Sequence, residues 1–185
     1  MKKILAIVLC LIMALSCAAF AETAEKTSMG EVSMNGAFEL KGVIPEGYTL
    51  NIIYQDETWY QAIVVSDDQT KPMLTISIAF EELMSEVERL NDLDDAALAK
   101  IEETFTDQDK VEITYAETAF GTKVMIIKEI ADDVDFIDFY TVYKGYELEF
   151  VLSAGFEAEG GLTDEQIQMV IDFMSDMDFI ALDAE

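Results

Sequence analysis

The chain has 185 residues, 11 Lys+Arg against 38 Asp+Glu, no His and 2 Cys, for a formal net charge of −27. Without His there is no Ser-His-Asp or Cys-His machinery and no imidazole metal ligand. So much negative charge repels phosphate backbones and excludes nucleic acid as the expected partner.

Met1–Ala21 has the layout of an export signal. Lys2 and Lys3 form a charged start, Ile4 to Leu15 is an apolar run, and Ala19-Phe20-Ala21 is a small-x-small cleavage pattern before Glu22. The run is short for a span of about 20 residues, so no membrane insertion is expected after removal. Leu15-Ser16-Cys17 also resembles a lipobox, with Cys17 as the lipidation site, although Ala14 stands where Leu is usual. Cleavage between Ala21 and Glu22 removes Cys10 and Cys17. The 11 bases less Lys2 and Lys3 leave 9 against 38 acids, a formal charge of −29. An exported chain without Cys must draw its stability from an apolar core, not from disulfides. The expected location is secreted or in the extracytoplasmic cell envelope.

Residues 22–35 are polar and aperiodic and read as a flexible spacer. No repeat follows, so 36–185 is expected to be one α+β domain. Phe38 and Leu40 alternate with Glu39 and Lys41 as a first strand, and Pro45-Glu46-Gly47 is turn chemistry. Leu50 to Tyr54, Trp59 to Val65 and Met73 to Phe80 continue the alternation as an antiparallel meander. The spacing of Leu83, Val87 and Leu90 predicts a short helical stretch over 81–90. Asp94 is the expected N-cap of the next helix, with Leu93 and Leu98 as a hydrophobic staple and Leu98, Ile101 and Phe105 on its apolar face.

Val111 to Tyr115 and Val124 to Ile130 read as two further strands. Phe136 to Tyr143 and Tyr146 to Ala154 form the clearest hairpin, closed by Lys144-Gly145. That turn pairs Tyr143 with Tyr146, Thr141 with Leu148, Phe139 with Phe150 and Ile137 with Leu152. Glu147, Glu149, Asp138 and Tyr140 then share the opposite face. Thr163-Asp164-Glu165-Gln166 is a capping box, opening a helix with a stripe at Ile167, Val170, Ile171, Met174 and Met177. The predicted architecture is α+β: a mostly antiparallel sheet with helices packed on its faces, an α/β/α sandwich.

Three features carry a family likeness. Phe38-x-Leu40 leads into Ile44-Pro45-Glu46-Gly47-Tyr48, Gly121 opens a strand before two meander strands, and the chain closes on Met174-Ser175-Asp176-Met177-Asp178-Phe179. This order resembles the PsbP-like superfamily over about Phe38 to Phe179, although Phe179 lies four residues beyond Ser175 where the family places an aromatic next to Ser. The resemblance implies an α/β/α sandwich. Known members are mainly non-catalytic binding or assembly factors, so it implies fold more than activity.

Chemistry-bearing candidates are few. Asp132, Asp133, Asp135 and Asp138, and separately Asp92, Asp94 and Asp95, supply the oxygen ligands that Ca²⁺ takes, without EF-hand spacing. Asp is also ordinary at strand turns and helix caps, where it forms solvated acidic surface. With 38 acids some carboxylates must lie close together, which leaves a small carboxylate-based hydrolase as an alternative. No Ser-x-x-Lys occurs, and no catalytic residue or cofactor is assigned. The chain is expected to be a monomeric, non-enzymatic binding or assembly module whose protein partner presents basic surface. A Ca²⁺-dependent envelope protein and a form lipid-anchored through Cys17 are the alternatives.

Overall fold

The structure is a computed structural model that describes residues 26–32, 38–56, 58–106, 110–118, 121–131 and 134–181. Cys17, Ala21 and Glu22, and hence the signal and lipidation readings, lie outside them, as do Asp132 and Asp133.

Alternation of apolar and polar residues produces ten described strands. They are β1 (Thr27–Val32), β2 (Phe38–Gly42), β3 (Thr49–Gln55), β4 (Trp59–Val65), β5 (Met73–Phe80), β6 (Val111–Glu117), β7 (Lys123–Glu129), β8 (Phe136–Tyr143), β9 (Tyr146–Ser153) and β10 (Asp178–Ala181). Two α-helices accompany them, α1 (Asp95–Thr106) and α2 (Asp164–Ser175). Seven strands form one antiparallel sheet in the order β3-β4-β5-β9-β8-β7-β6, and β1-β2-β10 form a second.

The α/β/α sandwich expected from the sequence is therefore incorrect: strand predominates, and among the described residues a single α-helix lies against each face, sharing the first with a second sheet and covering only part of the other. The reason is where β2 goes. Its alternation identifies a strand but not a sheet. Instead of opening the meander, β2 takes β1 and β10 as neighbours, and this small sheet shares the first face of the large one with α2. Met29 and Leu40 of the small sheet join Ile76, Phe139, Leu148 and Phe150 of the large sheet and Val170, Phe173 and Met174 of α2 in one buried cluster. The Tyr60 hydroxyl donates to the Met29 carbonyl and ties the two sheets together. Thr27–Val32, read as part of a flexible spacer, is thus paired backbone.

The expected helical stretch over 81–90 is also corrected. Glu82–Met84 and Leu90–Asp92 are single 3-10 turns. Between them the backbone pairs with the β8–β9 turn: the Lys144 and Gly145 amides donate to the Glu88 and Val87 carbonyls, and Arg89 bridges to Tyr143. These bonds occupy carbonyls that a helix would need, and three apolar residues bury too little to compete.

Elsewhere local chemistry and structure coincide. Lys144 and Gly145 have φ of 51° and 81°, the twist that a two-residue hairpin favours, and the β8–β9 register is the one read from the sequence. Thr163 and Gln166 form both bonds of the capping box. Among the described residues no helix is long and apolar enough to cross a membrane.

Candidate functional site

The second face of the large sheet carries a feature with the shape of a site. Alternation puts Tyr60, Ile78, Leu148 and Phe139 on the first face, so Trp59, Ala79, Glu147, Glu149 and Tyr140 must point the other way. Two rows result across the strands. One runs Trp59, Ala79, Glu147, Val142, and the next Gln61, Ser77, Glu149, Tyr140, Met125.

Helix α1 covers only part of this face. Asp94 caps it, its carboxylate accepting from the Ala97 amide at 2.8 Å. Leu93, Leu98, Ile101 and Phe105 pack against Met125, Ile127, Tyr140 and Val142, as the sequence spacing predicts. The Phe105 and Tyr140 rings lie 5.7 Å apart, and the Tyr115 hydroxyl donates to Glu102 of the helix. The 89–92 segment is pinned beside it: the Leu90 amide donates to buried Thr122 Oγ1, which meets Thr141 Oγ1 at 3.1 Å. Asn91 closes the attachment, accepting from the Lys123 amide at 2.6 Å and donating to the Gly121 carbonyl at 3.2 Å.

Between this support and β5 an open cleft of about 840 Å³ remains. Its walls are apolar, from Met84, Val87, Leu93, Ala97, Ile101 and Phe105. Its floor is polar, from Ser77, Tyr140, Glu147 and Glu149, and Asp94 and Lys100 are among the other lining residues. The volume falls in the range of small-molecule sites.

The floor is electrostatically loaded. Tyr140 donates to Glu147 Oε1 at 2.6 Å. Burial, then that bond and the nearby carboxylates, push the Tyr140 phenol well up. Glu149 is raised by burial and by Glu147. Asp138, next along β8 on the same face, is pushed up to about 6 by burial and then by Glu149. The ion pairs among the described residues are Lys26–Asp178 and Lys41–Glu39, neither of which reaches this floor.

The metal candidates are placed differently from the proposed cluster. Asp138 is half-buried on β8 and faces Glu149, whereas Asp135 is exposed before that strand. Among the described residues no three acids are arranged to hold a metal ion. Asp94 serves as the helix cap, with Asp95 in the first turn behind it. Glu147 and Glu149 were not singled out by motif. The hairpin register that places them with Asp138 and Tyr140 was the available signal.

One further cluster adjoins the same face, where Trp59 pairs with Ala79. At the β3–β4 turn, Asp56 accepts from the Tyr54 hydroxyl at 2.6 Å and from the Thr58 and Trp59 amides at 2.8 Å each. These bonds hold its carboxyl at about 2. They also fix the Tyr54 and Trp59 rings 5.1 Å apart, both still exposed, at 44% and 42%.

No protein-family model matches the chain, and no curated protein matches it.

Proposed function

We propose that this protein is an exported, non-enzymatic binding module that receives a positively charged ligand or protein surface in the second-face cleft. The observation that carries the reading is the pair of half-buried carboxylates, Glu147 and Glu149, on the floor of an open, apolar-walled cleft, with no basic side chain in an ion pair with them among the described residues. Carboxylates held partly out of water gain from a cation that replaces the lost solvation. The absence of His and of Cys beyond the signal segment supports the non-enzymatic part, and Met1–Ala21 supports export.

The test compares immobilised wild-type protein with an E147Q/E149Q variant in an envelope extract of the source organism. Retention of a basic component by the wild type, identified by mass spectrometry and lost in the variant, supports the reading. Equal retention by both overturns it.

A carboxylate-based hydrolase is the second reading. It is favoured by Glu147 and Glu149 lying two residues apart on one strand face, with Glu149 raised toward a protonated acid. Release of 4-nitrophenol from 4-nitrophenyl glycosides, abolished by E149Q, would displace the binding reading.

A further inference from the structure

The cleft and the Tyr54–Trp59 pair belong to one surface. Trp59 pairs with Ala79 and Ala79 with Glu147, so the three side chains stand in one row on one face of the sheet. Two strand spacings separate Trp59 from Glu147, roughly 10 Å. Ala79 keeps the row low between them and lines the cleft itself. Trp59 and the cleft therefore form one trough across Ala79, with an acidic floor and apolar walls.

We propose that this trough is a site for a small organic cation with an apolar body, an amine or quaternary ammonium carrying an alkyl or aryl chain. The proposal rests on the cleft being the recognition site and adds the chemical class of the ligand. The positive nitrogen lies against Glu147 and Glu149. The apolar body crosses Ala79 to the Trp59 ring, whose face attracts cations as well as apolar groups. The opposite classes fit poorly. An anion would meet two carboxylates on the floor and a third, Asp94, on the lining, with Lys100 the only described lining residue of opposite sign. A neutral polyol would leave its hydroxyls against apolar walls, where unmatched polar groups are costly.

Trp59 is the only tryptophan in the chain, so its emission reports on the site directly. The full mature protein is titrated with 4-phenylbutylamine, with the neutral isostere 4-phenylbutan-1-ol, and with butylamine, which has the charge but little apolar body. The expected result is a saturable change in Trp59 emission, with half-saturation by phenylbutylamine at least tenfold below that of the alcohol and of butylamine. In E147Q/E149Q the amine and the alcohol become equivalent while the alcohol's own affinity is kept. Should that variant fail to fold, A79F, which fills the row between Trp59 and Glu147, weakens the amine at least tenfold when binding is read by calorimetry. Equal affinity of amine and alcohol for the wild type, an amine preference that survives E147Q/E149Q, or no saturable change at all would overturn the proposal. Charge-dependent retention from the envelope extract together with failure of the amines would remove the small-cation class and leave the binding reading standing.

Discussion

The two faces of the seven-stranded sheet are made by the same strands and are finished differently. On the first, Ile76, Ile78, Leu148 and Phe150 disappear under α2 and the small sheet. On the second, their neighbours Ser77, Ala79, Glu147 and Glu149 form the floor of a cleft that α1 only partly covers. Alternation along β5 and β9 thus separates two tasks at the resolution of one residue. Even-numbered positions hold the fold together, and odd-numbered ones are available for recognition. A polar residue on the second face is tolerated because the cleft admits solvent, whereas the same residue on the first would be sealed away from water.

That contrast is open to direct attack. The largest effect belongs to the first face: Phe150→Ala should cost about 3–5 kcal/mol in urea unfolding. Its strand neighbour Glu149→Gln should leave stability unchanged or slightly raised. Comparable losses for the two would mean that the faces are not functionally separate.

Thr141→Val should cost about 1–3 kcal/mol, because it removes the hydroxyl that donates to the Lys123 carbonyl at 2.6 Å and takes away one of the partners of buried Thr122. It should also loosen the 89–92 segment beside the cleft, visible as faster amide exchange at Leu90. Asp94→Ala removes the cap of α1 and should cost about 1 kcal/mol. Fraying should be confined to that helix, leaving the first face intact by near-ultraviolet dichroism.

The smallest expected effect depends on pH. The unfolded chain releases the Asp138 proton near 3.8 and the folded chain only near 6. Whatever stability this group confers is therefore complete below pH 4 and lost as the pH rises through 6. Asp138→Asn should raise stability at pH 8 by about 1 kcal/mol, after allowance for solvent screening, and leave it unchanged at pH 4. A Tm gain of equal size at both values would refute the electrostatic origin.

Legibility from sequence followed the range of the interactions. The β8–β9 register was readable because a two-residue Lys144-Gly145 turn leaves little freedom, and the Thr163–Gln166 box because its partners are three residues apart. The staple at Leu93 and Leu98 was readable for the same reason. The destination of β2 was not, since Phe38 and Leu40 alternate identically whichever sheet they join. Strand β1 was hidden because Thr27–Val32 shows no apolar alternation, Met29 alone of its described side chains entering the core. The 81–90 stretch misled because its apolar spacing is helical, while its carbonyls are claimed by a turn more than fifty residues away. The cleft depends on where α1 lands on the sheet, a tertiary fact that no local pattern encodes. Its acidic floor was nonetheless implicit in the hairpin register.

The position of β2 between β1 and β10 bears on timing. Its two neighbours come from opposite ends of the described chain, one beginning at Thr27 and the other ending at Ala181. β1 and β2 are neighbours in the chain, but the second hydrogen-bonding edge of β2 is filled by β10, the last described strand, more than 130 residues later. The first face therefore closes last, after the meander and the hairpin have their own partners.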